Sequence, residues 1–239
     1  MDNSLLQILA YSCIPVITAV LGAVIAVIRP PGPVLRSYIQ HLAGGVVFSV
    51  VAVELLPDIV RQHAAWIEVA VGFSLGVASM LVLRSFSHKL EKNGEERPLG
   101  IMVGVGIDIL LDGFLISMSF TAGGKEGILL TFALALELLS LGLAVAIALA
   151  KNEKKSSKII LTTFLLFLLI IVGAGIGAVL AQSISAEVLE IVLSFGLAAL
   201  LYLVTEELLV EAHKEPETPM ATGMFFLGFL VFLLLGMTA

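Results

Sequence analysis

Eight long apolar runs, separated by short segments with charged residues, Pro or Gly, dominate this sequence. A helix of about 20 apolar residues crosses a hydrocarbon layer about 30 Å thick, so runs of this length are typical of membrane-spanning helices. The runs are Leu5–Ile28, Leu35–Leu56, Ala64–Leu83, Leu99–Ala122, Gly127–Ala150, Ile159–Ala181, Val188–Leu209 and Met220–Met237. We therefore predict an all-α polytopic membrane protein with about eight transmembrane helices, in which residues 1–239 form a single transmembrane domain.

The composition agrees with this fold class and excludes several functions. Of the 239 residues, 59% are apolar and 13% are charged, against roughly 45–50% and about 25% in soluble domains. The formal charge of −6 argues against nucleic-acid binding, which needs a basic surface. The single cysteine, Cys13, excludes an internal disulfide and any metal site built from several thiolates. The first four residues lack a basic group, so we interpret the first run as a membrane span and not as a signal peptide.

The distribution of Lys and Arg residues predicts how the helices are oriented. Of the 13 Lys and Arg residues, all but Arg61 and Lys125 fall in or next to the first, third, fifth and seventh loops. Cytoplasmic loops carry the excess of basic residues in most membrane proteins. We therefore expect the odd-numbered loops in the cytoplasm, both termini outside, and a location in the plasma membrane.

Acidic residues lie within these runs, where an ionisable side chain costs at least about 2.5–3.5 kcal/mol at the bilayer centre. They are Glu54, Asp108, Asp112, Glu137, Glu206 and Glu207, with Asp58 and Glu211 at run ends. Because no Lys or Arg lies in the core of any run, we expect no internal salt bridge to compensate them. Each acid then carries a proton or meets a cation from outside, unless it hydrogen-bonds a neighbouring helix and serves only packing. For a set of this size we favour a path for cations.

The spacing of acidic residues in the fourth and fifth runs predicts a binding site. Gly100, Gly104, Asp108 and Asp112 follow at intervals of four, which places them along one helix face. Small residues at this spacing allow close helix contact, so we expect both glycines to pack tightly against a neighbour. Glu137 lies near the middle of the fifth run, beyond a four-residue link. We expect the three acids at similar depth, where their carboxylates and water would bind a divalent cation.

Two short segments predict an internal repeat. Glu54-Leu-Leu-Pro-Asp58 in the second run is similar to Glu207-Leu-Leu-Val-Glu211 in the seventh, and the two runs cross the membrane in opposite directions. We therefore predict an inverted repeat of helices 1–3 and 6–8 around helices 4–5, a plan common in secondary transporters with alternating access. Glu54 and Asp58 would attract ions at the outer face, and Glu207 and Glu211 would receive them at the inner face.

Three motifs carry a family resemblance. They are Asp108-Ile-Leu-Leu-Asp112-Gly113, Glu137-Leu-Leu-Ser-Leu-Gly142 and Glu206-Glu207-Leu-Leu-Val-Glu211-Ala-His213. In order, they resemble the patterns H-N-x-x-[DE]-G, H-E-x-P-[EH]-x-x-G (in its shorter form) and E-[IL]-[IL]-P-E-x-H of ZIP-type (zinc/iron permease-like) divalent metal transporters. The resemblance covers nearly the whole chain. It implies eight crossings, both termini outside, metal ligands on the fourth and fifth helices, no tightly bound cofactor, and a divalent metal cation as the transported substrate.

The chain departs from the ZIP patterns at four of their metal-binding positions. Asp108 and Glu137 stand where the patterns have histidine, and Ile109 and Leu138 stand where they have the polar residues of a second metal position. The resemblance therefore implies one metal position, with Asp108, Asp112 and Glu137 as ligands. Carboxylates suit harder ions than imidazole does, so we expect a preference shifted from Zn²⁺ toward Mn²⁺, Fe²⁺ or Mg²⁺.

Other function classes stay open at this point. We do not expect an enzyme, because the Asp108–Gly113 motif is one residue longer than the D-x-x-D-G pattern of CDP-alcohol phosphotransferases and no basic residue in the membrane core could hold a diphosphate. A proton-coupled carrier of another cationic solute, another type of ion exchanger, or a nontransporting metal-sensing membrane protein would also use buried acids. The partners we expect are a divalent metal cation and the lipid bilayer, with a homodimer as one assembly that the sequence allows.

Overall fold

The computed structural model describes residues 3–61, 65–92, 98–216 and 218–238. Within these ranges all regular secondary structure is helical, and eight helices are long and apolar enough to cross a membrane. They are α1 (Asn3–Ile28), α2 (Pro33–Val50, Val51–Leu55 and Leu56–Arg61), α3 (Trp66–Lys92), α4 (Pro98–Ala122), α5 (Gly124–Ala150), α6 (Ser156–Phe167 and Leu169–Leu180), α7 (Ala186–Tyr202, Leu203–Leu208 and Leu209–Ala212) and α8 (Pro219–Thr238). The predicted all-α fold with eight membrane-spanning helices is confirmed, and these helices indicate an integral membrane protein.

The link between α4 and α5 is shorter than the sequence predicts. Gly123 alone separates the two helices, with an extended backbone (φ −178°). Lys125 and Glu126, which we expected in the link, instead belong to the first turn of α5. The charges marked the edge of the apolar layer and not the end of the helix, because a helix can continue beyond the hydrocarbon.

The most extensive helix contacts join α1 to α5, α2 to α8, α3 to α7 and α4 to α6. The helices within each pair run parallel, as the register of their contacts shows. Thr18 of α1 donates a hydrogen bond to the Ala135 carbonyl of α5 (2.6 Å), and one turn further along both helices Gly22 lies against Leu139. In each pair both helices are odd-numbered or both are even-numbered. This is the pattern expected when each helix crosses the layer in the direction opposite to the one before it.

This alternation gives the protein two distinct faces. The ends of α2, α4, α6 and α8 lie with the start of α1 on one side, which we call the termini face. The ends of α1, α3, α5 and α7 lie on the other side. We call it the basic face, because most of the Lys and Arg residues in the described ranges lie near it.

Glycines let the helices of these pairs approach until their backbones touch. A Cβ added at these positions would collide with a carbonyl oxygen of the paired helix. The clashes would be between a Cβ on Gly22 and the Leu139 carbonyl, Gly142 and Ala19, Gly173 and Leu110, and Gly113 and Ile170. Contact through small residues is the usual basis of helix association in membranes, where no hydrophobic effect drives helices together.

The helices group into two bundles. In the first, α1, α4, α5 and α6 contact one another; in the second, α7 contacts α2 and α3, and α8 contacts α2. The bundles meet where α2 packs on α5, α3 on α4, and α7 on α4. We call this boundary the seam, and α4 and α5 line it from the side of the first bundle.

Two π-helical turns, which the sequence analysis did not predict, interrupt α2 and α7 at Val51–Leu55 and Leu203–Leu208. A π turn takes an extra residue into the helix and occurs frequently at functional sites. In α2 the turn precedes Pro57, which cannot donate a backbone hydrogen bond. In α7 Val210 stands at the corresponding position, so proline is not required for the turn.

The two π turns occupy the same place in the repeated motif. In α2 the Leu56 N–H bonds the Val51 carbonyl five residues back, and in α7 the Leu209 N–H bonds the Val204 carbonyl. In each motif the donor is the second residue after the first Glu. The similarity of the two segments therefore extends from their sequence to an uncommon backbone geometry.

Gly173→Ala should destabilise the protein, because the added methyl group would overlap the Leu110 carbonyl and force α4 and α6 apart. Overpacking of this kind costs roughly 1–3 kcal/mol. Gly175→Ala is the matched control: Gly175 lies on the same helix, a Cβ there meets nothing within 4 Å, and Ala has the higher helix propensity. Thermal unfolding in detergent should give a lower midpoint for Gly173→Ala than for the wild type, and an equal or higher one for Gly175→Ala. Equal midpoints for the two variants would contradict the close contact.

Candidate metal centre

Three acidic side chains from α4 and α5 meet in the interior. One carboxylate oxygen from each of Asp108, Asp112 and Glu137 lies within 4.8 Å of the other two. The three residues are 9%, 4% and 1% exposed, respectively. The structure therefore brings together the three residues that the sequence analysis placed at one depth, and we call them the acidic cluster.

Local geometry explains how these side chains meet. Asp108 and Asp112 lie one turn apart on α4, so their side chains project from the same face. The chain reverses at Gly123, and α5 returns beside α4 to bring Glu137 to the depth of the two aspartates. The close approach of α4 to α6 at Gly113, next to Asp112, fixes the position of this part of α4.

The acidic cluster has acceptor atoms but no compensating donor in the part of the chain that the structure describes. Asp112 Oδ2 and Glu137 Oε2 are buried there without a hydrogen-bond partner. Carboxylates this close cannot all stay ionised without a positive charge nearby. Metal–oxygen bonds of roughly 2.0–2.6 Å place ligand atoms at most about 4–5 Å apart, which matches the separations in the cluster. The donor set therefore fits one oxygen-binding cation.

Ile109 and Leu138, which stand at the second metal position of the ZIP patterns, are both fully buried. Neither side chain has a lone pair, so neither can coordinate a second ion.

A pocket of about 230 Å³ leads from the basic face to the acidic cluster. Its lining includes Asp108, Gly104, Arg84, Tyr202, Glu206 and Glu207. We call it the Asp108 pocket. Gly104, which we expected to pack against a neighbouring helix, is part of this lining. Gly100, for which we expected the same, has a side that lies outside the described part of the structure. A close helix contact of α4 occurs at Gly113, on another face of the helix.

A second, smaller pocket of about 90 Å³ opens on the same face. Its lining includes Ser140 of α5, one turn from Glu137, together with Arg36, Gln40 and Glu211. We call it the Ser140 pocket. Glu207 and Glu211, which we expected to act together, thus line two different pockets. The π turn beside Glu207 changes the phase of α7 within the motif, so a spacing of four no longer guarantees a common face.

The structure contradicts the expectation that no salt bridge compensates the acids in the apolar runs. On the termini face, Lys125 Nζ lies 3.7 Å from Glu54 Oε1 and donates a hydrogen bond to the Gly236 carbonyl (2.6 Å). The expectation failed because it counted only charges inside the runs, whereas Lys125 reaches Glu54 from the first turn of α5. Glu54 is therefore apart from the acidic cluster. Asp58, one turn further along α2, is half-buried on the same face.

Two further acids have basic partners near the basic face. Arg84, about two turns before the end of α3, pairs with Glu206 of α7, with 2.5 Å between Nη1 and Oε2. Glu211 forms an ion pair with Lys214. Both pairs are largely exposed to solvent, so each contributes little to stability.

Two histidines meet at the basic face, a contact that the sequence pattern did not indicate. The rings of His41 on α2 and His213 after α7 lie edge to face, with 5.2 Å between their centroids. Each Nδ1–H donates to a backbone carbonyl, at Ser37 (2.8 Å) and at Leu209 (2.5 Å). Each of these bonds stays within its own helix and orients the ring. The ring contact, together with the hydrogen bond that Ser37 Oγ donates to the Ala212 carbonyl (2.9 Å), joins the start of α2 to the end of α7.

No family model and no curated protein matches this chain. The similarity to ZIP-type transporters therefore depends on the three sequence motifs.

Asp112→Asn should abolish stabilisation by divalent cations, because it removes one of three ligands and leaves the protein folded. In the wild type, Mn²⁺ at a hundred times its Kd should stabilise the protein by about 2.7 kcal/mol. Without metal the variant should melt at or above the wild-type temperature, because the substitution removes a buried carboxylate that has no hydrogen-bond partner. Thermal unfolding with and without Mn²⁺ measures both effects.

Glu153→Gln is the control for this experiment. Glu153 lies in the loop between α5 and α6 and pairs with Lys158 (3.2 Å), away from the acidic cluster. Its variant should keep the full metal-dependent shift. An equal shift in the wild type and in Asp112→Asn would show that the cluster does not bind the ion.

Proposed function

We propose that this protein transports a divalent metal cation across a membrane by alternating access. The observation that carries the proposal is a buried cluster of three carboxylates, without a basic partner in the described residues, that a pocket connects to one face. A cation neutralises such a cluster, and a route to one face at a time is what alternating access requires. On this proposal Asp108, Asp112 and Glu137 bind the transported ion.

The described conformation corresponds to one state of that cycle. The Asp108 and Ser140 pockets both open on the basic face, on either side of α5. On the termini face Lys125 joins α5 to α2 and α8. We assign this state as open to the basic face and closed to the termini face. In it Glu207 lines the exit beside Asp108, Glu211 lines the second pocket, and Glu54 and Asp58 lie on the closed side as the residues that attract an entering ion.

We also propose that α1–α3 and α6–α8 are an inverted repeat around α4 and α5. The matched π turns of α2 and α7 support this relation. The glycine contacts support it independently, because those of α1 with α5 recur between α6 and α4 in the same register. A repeat of this kind supplies two pseudo-equivalent states, one open to each face.

The basic loops support an orientation with the basic face in the cytoplasm and both termini outside. A plasma-membrane location follows from that orientation as part of the same proposal. The ZIP-like motifs support membership of that family as a divergent member. All three ligands are carboxylates, which favours Mn²⁺ and Fe²⁺ relative to the histidine-containing pattern, with Zn²⁺ still bound because of its high intrinsic affinity.

A proton-coupled carrier of another cationic solute is the second candidate. The Asp108 pocket supports it, since its volume of about 230 Å³ would accommodate more than a bare ion. Protons could then neutralise the acidic cluster while the solute occupies the pocket. The two candidates differ in what binds without an organic solute, because only the metal carrier binds divalent ions stoichiometrically under that condition.

Proteoliposomes that contain the purified protein should take up Mn²⁺, Fe²⁺ or Zn²⁺ above the level of empty liposomes. Asp112→Asn should reduce the rate to that background, because the ion loses a ligand at the centre of its path, and Glu153→Gln should keep the wild-type rate. Transport by Asp112→Asn at the wild-type rate would refute the assigned site. Metal binding without uptake in the wild type would instead favour a nontransporting metal sensor.

The double substitution Asp108→His with Glu137→His should raise the preference for Zn²⁺ over Mn²⁺ by roughly tenfold, because imidazole is a better ligand for Zn²⁺ than for Mn²⁺. Uptake from a mixture of both ions measures the ratio directly. Glu153→His adds a histidine away from the acidic cluster and should leave the ratio unchanged. A ratio that does not change in the double variant would mean that these two positions do not coordinate the transported ion.

A further inference from the structure

Lys125 makes two polar contacts that join three helices at the termini face. Its Nζ lies 3.7 Å from Glu54 Oε1 on α2 and 2.6 Å from the Gly236 carbonyl oxygen on α8. The Glu54 side chain is only 10% exposed, whereas that of Lys125 is 39% exposed. The ammonium group thus reaches inward from the surface to a buried carboxylate.

The end of α8 is shaped to receive this carboxylate. A Cβ on Gly236 would lie 2.6 Å from Glu54 Oε1, so the absence of a side chain there lets the carboxylate rest against the backbone. The Gly236 carbonyl is near the C-terminal end of α8, where backbone acceptors have no partner within the helix. Lys125 therefore satisfies an acceptor of α8 and the charge of Glu54 at once.

These contacts cross the seam. Lys125 belongs to α5 in the first bundle, whereas Glu54 and Gly236 belong to the second. At the basic face the same seam contains the Asp108 and Ser140 pockets. Lys125 thus fastens the two bundles together at the termini-face end of the seam.

The chemistry of the contact makes it replaceable by the substrate. Lys125 carries a single positive charge on a flexible side chain. It pairs with the Glu54 carboxylate, which would otherwise attract cations. A divalent cation carries twice the charge and would bind Glu54 with greater electrostatic gain. When the ion takes the carboxylate, the ammonium loses its partner and the tie between α5 and α2 is broken.

We propose that Lys125 is a tethered cation that closes the termini-face end of the seam by occupying Glu54, and that an entering divalent ion opens that end by displacing it. The identity of the displacing ion rests on the proposed function, whereas the closing contact does not. Lys125 is thus a positioning residue for entry and does not bind the ion itself.

Lys125→Met tests the closing contact, because it keeps the length of the side chain and removes both its charge and its donors. Hydrogen exchange of the backbone amides at the termini-face ends of α2, α5 and α8 should become at least roughly tenfold faster, as expected for loss of a charge-assisted hydrogen bond. Lys125→Arg should restore slow exchange. Lys158→Met is the matched control, since it removes the partner of Glu153 on the basic face and should leave these three segments unchanged.

Mn²⁺ tests the displacement in the same measurement. Adding it to the wild type should speed exchange in the three segments, and adding it to Lys125→Met should have no further effect. In proteoliposomes, Lys125→Met should lower the KM for Mn²⁺, because the ion no longer competes with an ammonium group.

The outcomes separate the two proposals. Unchanged exchange in Lys125→Met would overturn the closing contact. Faster exchange in that variant without an effect of Mn²⁺ on the wild type, although Mn²⁺ raises its melting temperature, would overturn the displacement step. If no tested metal binds the protein, the proposed function and the displacement step both fail, and the Lys125→Met result alone decides whether Lys125 closes this face.

Discussion

A carboxylate in a low-dielectric interior needs a positive partner or a proton, and the buried acids of this protein differ in how they meet that requirement. Glu54 has Lys125, and Glu206, an exposed acid near the basic face, pairs with Arg84. In the described part of the chain the acidic cluster has no basic residue, and two of its oxygens are buried without a hydrogen-bond partner. The acids with partners tie helices together, whereas the proposed function gives the cluster a charge that comes from outside the protein.

The acidic cluster needs helices held at a fixed depth, and in a membrane the hydrophobic effect does not bring helices together. The glycine contacts supply this constraint. Gly142 lies on α5, the helix that carries Glu137, and holds α5 against α1. Gly113 directly follows Asp112 on α4 and holds α4 against α6. Because both contacts are between backbones, side-chain rotation cannot relax them, and the first bundle keeps the ligands in register.

The sequence predicted the features that repeat along a helix and missed those that depend on neighbours. Apolar runs and four-residue spacing were enough for the eight helices and for bringing together Asp108, Asp112 and Glu137. The π turns were missed because helical periodicity assumes a constant pitch, and they in turn separate Glu207 from Glu211. The partner of Glu54 was missed because Lys125 is distant in the chain; the one available signal was its position as a rare basic residue on the termini face.

Helix α5 connects the two parts of the molecule where charge matters. It carries Lys125 in its first turn and Glu137 three turns later, a separation of roughly 18 Å along the axis. A continuous helix transmits a shift of its backbone from one end to the other, so a movement of α5 at Lys125 also moves the backbone at Glu137. Since α5 also lies between the two pockets of the basic face, its movement relative to α2 would widen the seam at one face as it narrows the seam at the other. On the proposed mechanism, the charge on Glu54 and the access to the acidic cluster would thereby be coupled through one helix.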